Sequence, residues 1–216
     1  MNIRSIHYIE YTFRETMIMA RTKEQNERIS LASRKKIMAA GLRLFARKGF
    51  AFTNIKDIAQ EAGISTGLIY RHFASKEELL YKLIEDAVTE LSKTVELLDS
   101  YASPAQAFFE MTSGLIKDFI SSDELSCYFL VIMRSILEAD ALPQMAEFRK
   151  SDLSLYEKAA ELIEKGQQIG EFREGNPYKL ALLFFSVIQG MANMKLFMGN
   201  DYIAPEVEDV MAFLLK

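Results

Sequence analysis

Apolar positions at the start of the basic part of the chain recur with helical spacing. Ile37, Ala40, Gly41, Leu44 and Phe45 stand at i, i+3, i+4, i+7 and i+8, with Arg34, Lys35, Arg43 and Arg47 largely off that stripe. This is the pattern of an amphipathic helix laid on a core. Gly49 falls where a helix C-cap glycine belongs. Asn54 then precedes IKDIAQEA with Asp57 three residues on, which predicts a short capped helix stopped by Gly63. Ser65 is placed to cap a second short helix, TGLIYRHF. Ser75, followed three residues later by Glu78, reads as a capping box opening a long helix through Leu79, Leu80, Leu83, Ile84 and Val88.

Further on, Pro104 is placed to start a helix to about residue 120, and another is expected over 123–138 before Pro143 breaks the chain. A long helix follows over 145–165, ending near Gly166 and Gly170. Pro177 opens one that continues to residue 198, and Pro205 opens the last; a missing N–H costs little at these positions. No stretch alternates as a strand would, and nothing repeats. The fold class is therefore all-α: an N-terminal three-helix helix-turn-helix domain followed by a larger helical domain. The expected division is an extension at 1–29, a helix-turn-helix domain at 30–80 and a helical domain at 81–216. Residues 1–18 look unlike the rest and lack the basic and apolar regions of a signal peptide. Translation starting at Met19 and a natural extension are both open readings, and no function is assigned to the segment.

Composition narrows the class. The 216 residues include one cysteine, two histidines and no tryptophan, and half are hydrophobic. One cysteine excludes an intramolecular disulfide framework, and with two histidines little material is left for zinc. No uncharged apolar run reaches the roughly 18 residues of a membrane span. A soluble cytoplasmic protein without metal or cofactor is expected. The net charge of −4 conceals an asymmetry: residues 19–82 carry 13 basic and 6 acidic side chains, residues 83–216 carry 11 and 22. A basic block ahead of an acidic one fits a polyanion meeting only the first part, although a solvated basic face is an equal reading.

The two short helices at 54–73 form a helix-turn-helix, whose geometry lays the second helix in the DNA major groove. Ile58, Ala59, Ala62, Ile64, Ile69 and Phe73 supply its buried seam. Ser65, Thr66, Tyr70, Arg71 and His72 remain as polar groups on or beside the second helix. Gly67, lacking a side chain, lets that helix approach a phosphate closely.

At these residues the chain resembles the tetracycline-repressor (TetR) family of bacterial transcriptional regulators. AAGLRLFARKGF, TNIKDIAQEAGISTG and LIYRHFASKEELL carry the likeness, which covers about 50 of the 216 residues. Asn54 stands where the family often has Thr. The resemblance implies that Asn54, Tyr70, His72 and Lys76 contact phosphates and that Ser65, Thr66 and Arg71 face base edges. Those groups suit the roles: hydroxyl, imidazole and ammonium donate to phosphate oxygens, and Arg can bind guanine bidentately. Plainer readings stand beside these: Tyr70 as core packing, His72 as a surface residue, Lys76 as the start of the long helix. Arg34 and Lys35 are either extra phosphate contacts or a solvated charge run.

The C-terminal part resembles the family only in its helices and in the phrase Gly170-Glu171-Phe172-Arg173. The helix from Pro177 is apolar nearly all round, so it must be covered on more than one face. Ser186 and Gly190 give it a small-residue strip. With Val207, Val210, Met211 and Leu214 on the last helix, this resembles the family's four-helix homodimer interface; the alternative is a central core helix of one chain. Phe108, Phe109, Tyr128 and Met133 suit the lining of an apolar small-molecule cavity, with Arg134 and Gln189 as polar groups that orient a ligand. Core packing accounts for the aromatic and Met positions equally well, and Arg134 with Glu138 reads also as an intrahelical pair. Cys127 is read as a buried, inert thiol. The expected function is a DNA-binding transcriptional regulator, a repressor released from its operator by a small, largely apolar effector. An effector-independent nucleoid protein of the same fold is the alternative. An enzyme is not expected: the chain holds no Ser/His/acid signature, metal spacing or phosphate loop.

Overall fold

The structure is a computed structural model that describes residues 3–98, 100–137 and 145–216, with side chains from residue 25 onward except 91, 92, 95, 99 and 138–154. Glu138 and Pro143 thus lie outside the described residues. The helices are α1 (Ile3–Lys48), α2 (Ile55–Ala62), α3 (Thr66–Tyr70), α4 (Lys76–Leu98), α5 (Pro104–Ser121), α6 (Glu124–Leu137), α7 (Met145–Gln168), α8 (Pro177–Met198) and α9 (Val207–Met211). Three differ from the sequence pattern. α1 begins about thirty residues before the apolar stripe, because nothing ahead of Ile37 breaks a helix. α3 ends at Tyr70, not Phe73, because Phe73 turns inward and is 1% exposed. α9 starts two residues after Pro205, with Glu206 as its cap. Pro104 and Pro177 do open their helices, each preceded by a capping side chain, Ser103 and Asn176.

Two apolar cores organise the chain. The first holds Ile37, Leu42 and Phe45 of α1, Ile58 of α2, Ile69 of α3, and Leu79, Leu80, Leu83 and Ile84 of α4. Cys127 and Val131 of α6 are buried in that same core. The second gathers Phe108 and Phe119 of α5, Leu162 and Ile163 of α7, Phe184 and Ile188 of α8, and Val210, Met211 and Leu214 near the C-terminus. The boundary expected at residue 80 falls inside α4, which is unbroken: Leu80 lies in the first core and Leu98 in the second. The isolated apolar run of α8 has the length and hydropathy of a membrane span, yet its Leu180, Ala181, Phe184, Ile188, Met191 and Ala192 are buried in the second core.

The Gly170-Glu171-Phe172-Arg173 phrase ties that second core together. Gly170, at φ +79°, turns the chain out of α7. Glu171 accepts the Ala105 N–H at the start of α5 at 2.9 Å. Phe172 packs edge-on to Phe108, whose other neighbour is Phe184, at centroid distances of 5.6 and 5.0 Å. Arg173 donates from its backbone to Leu214 and from Nε to the Phe213 carbonyl. Phe172 also fills the space above Gly166: a Cβ there would lie 2.3 Å from the ring. Gly166→Ala should therefore cost about 1–3 kcal/mol, as overpacking against a fixed ring does. The urea midpoint reads this, and an unchanged midpoint would show that the ring moves freely.

Candidate nucleic-acid interface

Local hydrogen bonds set the frame of the helix-turn-helix. The Asn54 side-chain oxygen accepts the Asp57 N–H at 3.0 Å, and the Asp57 carboxylate accepts the Asn54 N–H at 3.4 Å, a reciprocal capping box. With its oxygen engaged, the Asn54 amide keeps its NH2 as a donor. Gly63 ends α2 in the left-handed region at φ 66°, which a side chain would resist. Ser65 caps α3 by accepting the Leu68 N–H at 3.3 Å, so its hydroxyl hydrogen stays available. Ser75 accepts from Glu78 N–H, while the Glu78 carboxylate reaches past it to the Ala74 N–H at 2.5 Å. The expected box at α4 is thus offset by one residue.

Lys76 does more than start a helix. Its ammonium donates to the carbonyls of Phe50 and Thr53 at 2.9 and 3.0 Å and stands 4.4 Å from the Phe50 ring centroid. Thr53, 1% exposed, donates to the Gly49 carbonyl at 2.8 Å. The turn leading into Asn54 is therefore held from within, and two of the three Lys76 ammonium hydrogens are engaged there.

An open groove of about 590 Å³ brings three of the sequence candidates together: Asn54, Tyr70 and Lys76, and Lys56 lines it too. Lys56 is exposed on the first turn of α2; no motif marks it, and in the sequence only the charge count includes it. Tyr70 is 58% exposed, so its ring is not core packing. Ser65, Gly67 and Arg71 are exposed on or beside α3, and Thr66 and His72 are half-buried. The His72 carbonyl accepts from Arg34 at 3.4 Å, and the Arg34 guanidinium lies 4.4 Å over the Phe73 ring. Arg34 is thereby committed to the fold. At Gly67 an added Cβ would meet nothing within 4 Å, and its φ is not positive. Nothing inside the chain requires glycine there.

The residues expected around an effector do not converge. Phe108 is fully buried between aromatic rings, while Phe109 and Met133 are 41% and 38% exposed. Gln189 lies on α8 and donates to Asn193. Tyr128 packs against the first core, and burial pushes its phenol up to about 12, with the Glu124 and Asp86 carboxylates adding to the shift. Arg134 donates to the Ala46 carbonyl at 2.9 Å, satisfying the end of α1 across the joint between the two cores. At the other end of α6, Asp123 stands 3.9 Å from Arg47 of α1 and 3.6 Å from the nearly buried Lys195 of α8. Burial also pushes the Cys127 thiol up, with Asp123 next in effect, which keeps it protonated.

The expected dimer set divides as well. Ser186 and Gly190 are exposed on one side of α8. Val210, Met211 and Leu214 are at most 3% exposed and close the chain's own second core, with Val207 half-buried against it. They face inward because the turn after α8 folds α9 back onto α5. The side of α8 left bare carries Leu182, Leu183, Met194 and Phe197 instead.

A helix-turn-helix with its polar residues outward, seated on a larger helical body, defines a DNA-binding transcriptional regulator. Residues 37–83 match the family model of bacterial regulatory proteins of the tetR family. The chain is 28% identical over 187 residues to the HTH-type transcriptional regulator YfiR of Bacillus subtilis, spanning 83% of this chain and 86% of that one. Among solved structures, the ketosteroid transcriptional regulator KstR2 of Mycobacterium tuberculosis superposes with a TM-score of 0.65 at 19% identity, over 85% of this chain and 95% of that one. A SmeT–triclosan complex gives 0.62 at 18% identity, over 86% and 92%. At such identities the two structures show a shared fold. Residues 37–83 therefore carry a DNA-binding domain of the tetR type, and the chain as a whole is similar to regulators built on it.

Two substitutions separate contact from scaffold. Gly67→Ala should leave stability unchanged or raise it by up to about 1 kcal/mol, yet weaken DNA binding measured by anisotropy. Lys76→Met should weaken binding and also lower stability by about 1–3 kcal/mol, since it strips a charged donor from two carbonyls. Unchanged DNA affinity in Gly67→Ala would remove α3's N-terminal turn from the interface.

Proposed function

We propose that the protein is a cytoplasmic, homodimeric repressor that leaves its operator when a small, largely apolar effector binds the helical body at 81–216. Asn54, Tyr70, His72 and Lys76 hold phosphates, and Ser65, Thr66, Gly67 and Arg71 present α3 to the bases. The observation that carries the switch is that α6 packs on both cores: Cys127 and Val131 sit in the core of the DNA-binding helices, while Leu125 and Phe129 pack against the core of the body. An effector that favours one placement of α6 changes the placement of α1 and the turn it leads into. A coupling of 1–3 kcal/mol would change operator affinity about 5–150-fold. Of the six residues expected to line the effector site, Phe108 alone lies in the body's aromatic core, so binding there requires those rings to part. The triclosan complex of SmeT supports a body of this fold accepting an apolar ligand. No catalytic role, metal or cofactor is assigned.

Dimerisation rests on the bare side of α8, where Ser186 and Gly190 allow close approach and Leu182, Leu183, Met194 and Phe197 supply apolar area. Two copies would present two recognition helices to half-sites about 34–36 Å apart or a multiple of it. Fluorescence anisotropy on DNA from upstream of the protein's own gene, with unrelated DNA as control, tests the regulator reading. A preference of roughly 10³ or more that survives moderate salt supports it; equal, salt-labile binding favours an architectural protein. Leu183→Glu should convert the dimer to a folded monomer in light scattering, and a dimer that persists would move the interface elsewhere.

A further inference from the structure

Beyond the helix-turn-helix, α1 itself extends the basic surface. From residue 25 to residue 32 every side chain of α1 is exposed, including Ile29 and Leu31 at 58% and 56%, so this part of the helix stands clear of the body. It leaves the body at Arg34, which grips the His72 carbonyl and the Phe73 ring just past the end of α3. The helix therefore departs beside the exit of the recognition helix, next to Arg71 and His72. Its charge is one-sided: residues 19–36 contain Arg21, Lys23, Arg28, Arg34, Lys35 and Lys36 against Glu24 and Glu27. Arg28 and Lys35, seven residues apart, share one face about 10.5 Å along the axis, and Lys36 adjoins it. All three are exposed.

We propose that this projecting part of α1 holds the phosphate backbone of duplex DNA flanking the bases that α3 reads, through Arg28, Lys35 and Lys36. Two observations choose duplex DNA as the occupant: Arg34 joins this part of α1 to the His72 carbonyl and Phe73 ring just past α3, and its charge matches a polyanion carrying one charge per about 1.7 Å of axis. Such contacts add affinity without reading sequence. The inference rests on the DNA-binding reading above and adds to its footprint.

The salt dependence of binding tests it. Full-length protein and its R28A/K35A/K36A variant are titrated onto a fluorescein-labelled 40-base-pair duplex between about 50 and 200 mM salt. Each lost phosphate contact lowers the slope of log affinity against log salt by about 0.9, so the variant should lose about two to three per protomer. K35Q/K36Q, which keeps Arg28, should lose about two. R28K/K35R/K36R should keep the wild-type slope, and the charge-matched K117A/K165A/K216A on the body should keep it too. An unchanged slope in the first variant, with binding retained, overturns the proposal, as does an equal loss from the body control. Failure of every form to bind duplex DNA would overturn the regulator reading and this inference with it.

Discussion

A three-helix DNA-binding unit of some fifty residues buries little surface of its own. Here the deficit is met by α6, which places Cys127 and Val131 in the unit's core and donates Arg134 to the last turn of α1. A buried Val alone contributes about 1.5–3 kcal/mol, a large share of the few that separate a small domain from its unfolded chain. The DNA-binding unit thus depends on a helix of the body for its stability. Coupling between the two parts follows from that packing and needs no separate lever. α4 adds a second connection, with its first half in one core and Leu98 in the other.

Within the unit, support and contact are assigned to different side chains. Thr53, Lys76 and Asp57 hold the turn ahead of α2 through short hydrogen bonds, and Arg34 fastens α1 to the exit of α3. This leaves Tyr70, Arg71, Lys56 and the free donors of Asn54 and Ser65 facing outward. A turn fixed from inside presents its donors with little ordering left to do when DNA arrives, which favours affinity. Gly67, which no contact inside the chain requires, sits among those outward groups.

The body follows a different economy. Its aromatic centre, Phe108 between Phe172 and Phe184, is closed by the Gly166 contact and by the C-terminal strand-like pairing of Phe172 with Leu215. Val210, Met211 and Leu214 complete that closure, which is why they are not available to a second copy. Leu182, Leu183, Met194 and Phe197 on α8 stay outside that closure.

Helix periods, caps and the two short helices at 54–73 were legible in the sequence, because each depends on residues within a turn or two of one another. The exposure of Ser65, Tyr70 and Arg71 was legible too, since these polar groups interrupt an otherwise apolar seam. The length of α1 was not, because a polar helix carries no periodic stripe. Nor were the roles of Arg134, Asp123 and Lys195: ion pairs and caps between residues 70 to 90 positions apart have no local signature. An all-round apolar helix such as α8 announces that it must be covered, but not by what. Sequence by itself determined the class of the protein, through local hydrogen bonding and spacing. Only the tertiary structure decided which apolar residues close the chain's own core and which lie bare, because that depends on where distant helices come to rest.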